Sequence, residues 1–419
     1  MHATTSRRSL LKAGVGLLAV PALPSRAGAS EPPHDVTYAE DFDELWRTLA
    51  ERYCYFGEKR TDWPAVRALY RPQALAAASR DDFAVIVDRV LRELYDAHTH
   101  RSDAAEGTAR LPYYDLWVEP RGAHGALVTS VRDGSAAADA EIVPGDTVTR
   151  VDDVSLARRA AASMPRCLTR PDPAAVTYAL NVAVSGHRGQ PRRLALRNAK
   201  GGERTVNLPV KIASQLPDVE SRLLPRGYGC IVVRSFADQA VVDAFDAALL
   251  RFREAPGLVI DVRQNGGGDT AVARPIMGRF IAEQKPYARM RRRDGDHLGD
   301  AWTEVVDPRG PFTFTAPVAV LTTRWSASMA EGFPMGMRGI GRAAIVGTRM
   351  MELGAGVFPL RLDHTGLELQ YSAEPVYDVH DRPRSLLEPD VSVPPAGDIL
   401  AAGVAALDAA RRASLLSPR

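Results

Sequence analysis

A chain of 419 residues, 45% of them hydrophobic and 25% charged, carries enough apolar material for two or three cores, and its formal charge of +2 excludes the strongly basic balance of a nucleic-acid binder. The basic residues are overwhelmingly arginine: Lys12, Lys59, Lys200, Lys211 and Lys285 are the only lysines, which limits where an amine base could come from. Cys54, Cys167 and Cys230 are odd in number and widely spaced, so neither a disulfide framework nor a zinc site is indicated and one bridge at most is possible.

In chain order the first segment is a targeting signal. Ser6-Arg7-Arg8-Ser9-Leu10-Leu11-Lys12 precedes an apolar stretch from Ala13 to Leu23, and Ala27-Gly28-Ala29 supplies small residues for cleavage, so residues 1–29 read as a twin-arginine export signal. The stretch is shorter than the ~20 residues that span a bilayer. The expected protein is soluble after signal removal, in the periplasm or otherwise outside the cytoplasm, with an uncleaved anchor as the alternative.

Residues 31–105 read as a small helical domain. Phe42, Leu45, Trp46, Leu49 and Tyr53 recur at spacings of three and four, as do Phe83, Ile86, Val87, Val90, Leu91 and Leu94. The second run ends in the polar break Tyr95-Asp96-Ala97-His98-Thr99-His100. Residues 111–210 read as short strands and turns, with strands at Ala126 to Val131 and Val148 to Val151 around the turn Pro144-Gly145-Asp146. The run Gly134 to Asp146 followed by Val151-Asp152-Asp153-Val154 resembles the second half of a PDZ domain, a fold that captures peptide ends as an added strand, although no Gly-Leu-Gly-Phe-like carboxylate loop precedes it.

From residue 215 to 400 strands and helices alternate. Cys230 to Val233, Leu258 to Val262, Pro317 to Thr322 and Ala343 to Val346 are apolar strands, Gln239 to Phe252 is a helix, and another helix begins near Ser328. The pattern predicts an α/β core with a buried sheet. Arg289 to Asp300, rich in arginine, is expected as a solvated loop, and residues 401–419 as a C-terminal helix and tail.

Two turns at strand ends carry the candidate chemistry. Asp261-Val262-Arg263-Gln264-Asn265-Gly266-Gly267-Gly268 brings bare backbone to the end of one strand, where glycine amides can approach a developing oxyanion. Thr323-Arg324-Trp325-Ser326-Ala327-Ser328-Met329-Ala330-Glu331 takes the next strand into a helix, where a serine hydroxyl stands by the positive helix end. Taken alone, the first is a turn and the second an N-cap.

In this order, after a helical and a PDZ-like segment, the pair resembles the tail-specific (C-terminal processing) serine peptidases and their tricorn-core relatives, over roughly Tyr38 to Ala409. Leu387-Glu388-Pro389-Asp390-Val391 is similar to the Pro-Asp signature that closes the family's domain. The resemblance implies a ClpP/crotonase-like α/β core, a polypeptide substrate, no cofactor and no metal. It makes Ser328 the nucleophile, Ser326 a structural neighbour, and the amides of Gly267 and Met329 the oxyanion donors. The better-known branch places a lysine base after the following strand, but Gly347-Thr348-Arg349-Met350-Met351-Glu352-Leu353-Gly354 has none, and an arginine stays protonated. The tricorn-like branch uses a histidine at a helix end in an Asp-x-His-Thr context. Asp96-Ala97-His98-Thr99 matches it and makes His98 the candidate base. That branch orients the base with a glutamate where this chain reads Asp381-Arg382-Pro383-Arg384-Ser385-Leu386-Leu387-Glu388, so Glu388 and Asp381 are the nearby carboxylates, and Glu388 is taken as the candidate. Two other functions stay open: a family member without catalysis that binds peptides or hydrophobic small molecules, and an esterase with the same site.

Overall fold

The computed structural model describes residues 34–122, 125–211 and 216–416, so the export pattern of residues 1–29 lies outside the described residues. Three helices come first among the described residues, α1 (His34–Arg52), α2 (Trp63–Leu75) and α3 (Arg80–Arg92). Asp62 caps α2 by accepting from the Ala65 amide at 3.0 Å, and Ser79 caps α3 by accepting from Asp82 at 3.1 Å. Their apolar stripes bury Phe42, Leu45, Phe83 and Val87, but helices alone do not close this core. Leu362, Leu367, Leu369 and Tyr371, from a strand of a sheet in the last third of the chain and the turn that leads into it, complete it.

That sheet comprises Lys285–Met290, Trp302–Val306, Ala355–Arg361 and Glu368–Tyr377. A two-residue strand, His100–Arg101, pairs antiparallel with it, His100 opposite Gln370 and Arg101 opposite Leu369. This pairing pins the polar break after α3 against the rest of the molecule. The stretch Arg289 to Asp300 is solvated, as its arginines suggested, but it is a short hairpin rather than a loop. Its first residues end a strand, and Arg293–Asp294 pairs with His297–Leu298 in a short hairpin. The arginines are accommodated because Arg291 stacks over Tyr377 and Arg292 over Phe358, the latter also paired with Glu374.

In the second segment Leu116–Arg121, Gly125–Val131, Thr147–Val151, Arg192–Arg197 and Glu203–Leu208 lie in that order in one sheet. A helix, Pro173–Ser185, covers it, which the reading of strands and turns did not anticipate. The helix is buried nearly all round, through Ala175, Tyr178, Ala179, Val182 and Val184, so it lacks the polar face that would have shown a helical period. Asn181 on it exchanges both amide groups with Val118, each bond 2.9 Å long.

The core sheet is built on four parallel strands, β1 (Gly229–Val233), β2 (Leu258–Asp261), β3 (Val318–Thr322) and β4 (Ala343–Gly347), adjacent in that order. Val219–Leu223 extends it antiparallel beside β1, and Val391–Ser392 parallel beside β4. Every residue of β2 and β3 is buried, as expected of strands covered on both faces. Ala240–Arg251, Thr270–Met277 and α4 (Met329–Gly339) pack on one face, and Ile399–Leu416 on the other. The three cysteines are buried and unbridged.

Candidate active site

The site forms where β2 and β3 end side by side. After β3 the chain turns sharply and α4 starts at Ser328, whose φ of 54° and ψ of −117° lie in the left-handed half of conformational space that serine rarely adopts. Such a backbone costs about 1–3 kcal/mol and persists only where its surroundings hold it. Here the hold is dense. Ser326 is buried, donating to Val262 O at 2.8 Å and accepting from Thr323 N at 3.1 Å, and Ala327 N bonds Asn265 O at 3.0 Å. The Ser328 amide itself donates to Glu331 Oε1 at 2.9 Å.

Glu331 does more than cap its helix. Oε1 also accepts from Leu353 N at 2.9 Å and Oε2 from Glu352 N at 3.2 Å, so one buried carboxylate ties the Ser328 turn to the loop after β4. Burial raises its pKa to about 7, against the opposing pull of the Arg384 guanidinium and of the Leu353 and Ser328 amides. A serine followed by glutamate at the third position is a capping-box spacing visible in the sequence. The reach to residues 352 and 353 is not.

Across from Ser328 stands the glycine turn. Gly267 has φ +109°, and a Cβ there would lie 2.8 Å from Ala327 O and from Ser328 Cβ. Only a bare α-carbon allows that approach. The Gly267 amide, expected as an oxyanion donor, is already given to Asn265 Oδ1 at 2.8 Å, because the asparagine side chain closes its own turn two residues on. The amides of Gly268 and Met329 have no acceptor among the described residues, and both residues line a cavity of ≈ 390 Å³ that opens on Ser328.

His98 arrives from the loop after α3. Asp96 shapes that loop: Oδ1 accepts from His98 N at 2.9 Å, and Oδ2 accepts from Thr99 Oγ1 at 2.8 Å, from Ser372 Oγ at 2.7 Å and from Tyr53 OH at 3.3 Å. Burial works to raise the Asp96 pKa, but Lys59, His98 and the Ser372 hydroxyl outweigh it and hold the carboxyl below its ordinary value. Burial pushes the His98 imidazole down to about 4; Asp96 pulls it up, and Arg384 and His100 add to the depression. Nδ1 of His98 is enclosed without a hydrogen-bond partner. No hydrogen bond joins the ring to Ser328 among the described residues, and His98 is not in the wall of the Ser328 cavity. The two loops meet through their neighbours, Ala97 and Ala327 sharing one apolar cluster with Leu353. His100 instead turns its Nδ1 to Ala97 O at 3.1 Å.

The carboxylate expectation is corrected. The Glu388 side chain is 59% exposed and pairs with Arg349 at 3.2 Å, because Leu387 beside it turns into the core and leaves Glu388 facing solvent. Asp381 is likewise at the surface, on Arg289. The residue of this stretch that reaches the site is Arg384, buried in the wall of the Ser328 cavity, with Nη2 donating to Leu353 O and to Ala355 O, the latter at 3.0 Å. Sequence reasoning missed Asp96, Glu331, Gly268 and Arg384; polar residues beside His98 and Ser328 could have flagged the first two.

A wound parallel sheet thus presents a strained serine at one strand end against a glycine turn at the next, an arrangement that can offer a hydroxyl to a carbonyl held at the turn. Residues 227–393 match the model of Peptidase family S41 and residues 34–92 that of the Tricorn protease C1 domain. By these matches the core segment is similar to the S41 peptidases and the N-terminal helices to the tricorn protease. The carboxy-terminal processing protease CtpB of Bacillus subtilis (strain 168) is 29% identical over 130 residues, 30% of this chain and 26% of that protein. The tail-specific protease of Haemophilus influenzae is 26% identical over 216 residues, 47% of this chain and 29% of that protein. The matched parts thus make up less than a third of either relative's length. Mature CPAF superposes with a TM-score of 0.60 at 15% identity over 90% of this chain and 97% of that one, a likeness of fold.

Proposed function

We propose that this chain is a serine endopeptidase that cleaves unfolded or C-terminal peptide segments through an acyl-enzyme on Ser328. The observation that carries the reading is the Ser328 turn itself: a serine held at φ 54° beside a bare glycine, facing a cavity, within the region that matches the S41 model. In the proposed course Ser328 Oγ attacks the scissile carbonyl carbon while His98 takes the hydroxyl proton. The amides of Gly268 and Met329 receive the oxyanion. Collapse breaks the C–N bond, His98 returns the proton to the leaving amine, and water then releases the acyl group by the same steps.

The test is hydrolysis of an unstructured peptide by paired variants. Ser328→Ala is expected to abolish cleavage with the fold intact, and Ser326→Ala to retain substantial activity. The opposite ranking would place the nucleophile at the wrong serine. A second reading, a family member that binds peptides without cleaving them, is favoured by one observation: His98 Nδ1 is enclosed with no carboxylate to receive it. Absence of hydrolysis together with retained peptide binding would establish that reading. The export pattern of residues 1–29 supports a place outside the cytoplasm, reached by the twin-arginine route. Among the described residues no helix is long and apolar enough to cross a membrane. Replacing Arg7 and Arg8 by lysine is expected to leave precursor in the cytoplasm, and normal processing of that variant would contradict the route.

A further inference from the structure

The cavity beside Ser328 is walled mostly by apolar side chains, among them Met290, Met335, Val357 and Val376, and by a single guanidinium, that of Arg384. Arg384 is 5% exposed. Its Nη2 is spent on two backbone carbonyls, its Nε is enclosed with no partner, and its Nη1 has no acceptor among the described residues. Nη1 lies on the cavity side: a Cβ on Gly332, which is part of the wall, would sit 3.3 Å from it.

Neither nearby carboxylate makes an ion pair with this guanidinium among the described residues, although Glu331 is close enough to act on it through space. Asp269, the one acid in the wall, accepts from Ala271 N at 2.8 Å and caps its helix. Glu331 gives its oxygens to the amides of Ser328, Glu352 and Leu353, and no ion pair joins it to Arg384 among the described residues. A buried cation with open donors is costly unless a counter-charge reaches it, and the cavity that Arg384 lines offers an approach.

We propose that Arg384 is a specificity-determining residue, which receives a carboxylate carried by a substrate residue flanking the scissile bond. The inference rests on the reading of Ser328 as nucleophile, since that fixes which bond lies at the cavity mouth. The carboxylate has two sources, an acidic side chain or the free C-terminus of the peptide, and both offer Nη1 the same charge-assisted hydrogen bond.

The experiment compares two matched pairs of peptides, one pair with glutamate or glutamine flanking the cleaved bond, the other ending there in a free acid or an amide. Hydrolysis is followed with the wild-type chain, and binding with Ser328→Ala. The carboxylate member of one pair is expected to be preferred by about tenfold or more, the scale of a hydrogen bond to a charged group, and the pair that shows it identifies the source. Arg384→Met should bring that ratio close to one, and Arg384→Lys should keep part of it. Because Arg384 also holds the carbonyls of Leu353 and Ala355, loss of activity alone says nothing; the ratio between paired peptides is the readout, and a structural defect leaves it unchanged. No preference in either pair, or a preference that survives Arg384→Met, overturns the proposal. If the wild-type chain cleaves nothing, the nucleophile reading fails, while the binding ratio still decides the role of Arg384.

Discussion

At Ser328 the strained backbone and the carboxylate that holds it are inseparable. Glu331→Ala would strand three amides, those of Ser328, Glu352 and Leu353. Each stranded donor costs about 1–3 kcal/mol when buried, so a total loss of about 3 kcal/mol or more is expected in urea unfolding, with Glu331→Gln losing less because one acceptor oxygen remains. A loss within ~0.5 kcal/mol, ordinary for a surface site, would show that Glu331 does not hold the turn. His98 carries a second residue-scale prediction. An unperturbed histidine base would place the acid limb of kcat/KM near ~6.5. Burial moves the imidazole to about 4, so the limb is expected there. Asp96→Asn removes the charge that raises His98, and the limb should move lower still, with activity reduced by roughly tenfold or more because the transient imidazolium loses its neighbouring anion. A limb that stays near ~6.5 in both proteins would mean that another group takes the proton.

The elements divide by how plainly their packing is written in the chain. β2 and β3 are continuous apolar runs, begun after Pro256-Gly257 and after Ala316-Pro317, so their place in a buried sheet follows from composition alone. The sheet containing Glu368–Tyr377 was illegible because its partners lie far away in sequence: Leu369 packs against α1 and α3, and pairs with Arg101. The helix Pro173–Ser185 hid for the opposite reason, being apolar on every side. The glycine turn gives the element-scale prediction. Gly267→Ala adds a Cβ 2.8 Å from two atoms at φ +109°, and should lower stability by about 2 kcal/mol or more and abolish most activity by displacing Ser328. At Gly266 a Cβ meets nothing within 4 Å, so Gly266→Ala should stay within about 0.5 kcal/mol of the parent. Equal effects at the two positions would mean that the turn is not wedged against the serine.

Across the whole molecule, the candidate nucleophile and the candidate base come from segments more than two hundred residues apart, joined where His100–Arg101 adds to the sheet of Glu368–Tyr377 and where Ser372 bonds both Asp96 and Thr99. Ser328 and the glycine turn were legible because each is a contiguous motif. The environment of His98 was not, because its neighbours Arg384 and Ser372 reach it only through the fold, and Glu388, close in sequence to a family signature, is carried to the surface. The folded molecule also sets two opposing pH responses. His98 titrates at about 4 when folded and near ~6.5 when unfolded, so the unfolded chain binds more protons in between and stability is lost as pH falls through that window. Glu331 titrates at about 7 when folded, above the ordinary value of 4.5, so its contribution is lost as pH rises from there to 7. The two slopes oppose each other where the windows overlap. Glu331→Gln removes one of them, and unfolding midpoints of that variant should rise from pH 4.5 to 6.5 more steeply than those of the parent. A shallower rise would contradict the assignment of either group.

Reaction with a fluorophosphonate probe, followed by peptide mapping of the adduct, tests most directly whether Ser328 is an activated nucleophile. The expected result is one phosphonylated residue, Ser328, with labelling lost in Ser328→Ala and slowed by at least roughly a hundredfold in His98→Ala but not in His100→Ala. A folded protein that takes no label, or takes it at Ser326 or any other serine, would contradict the account.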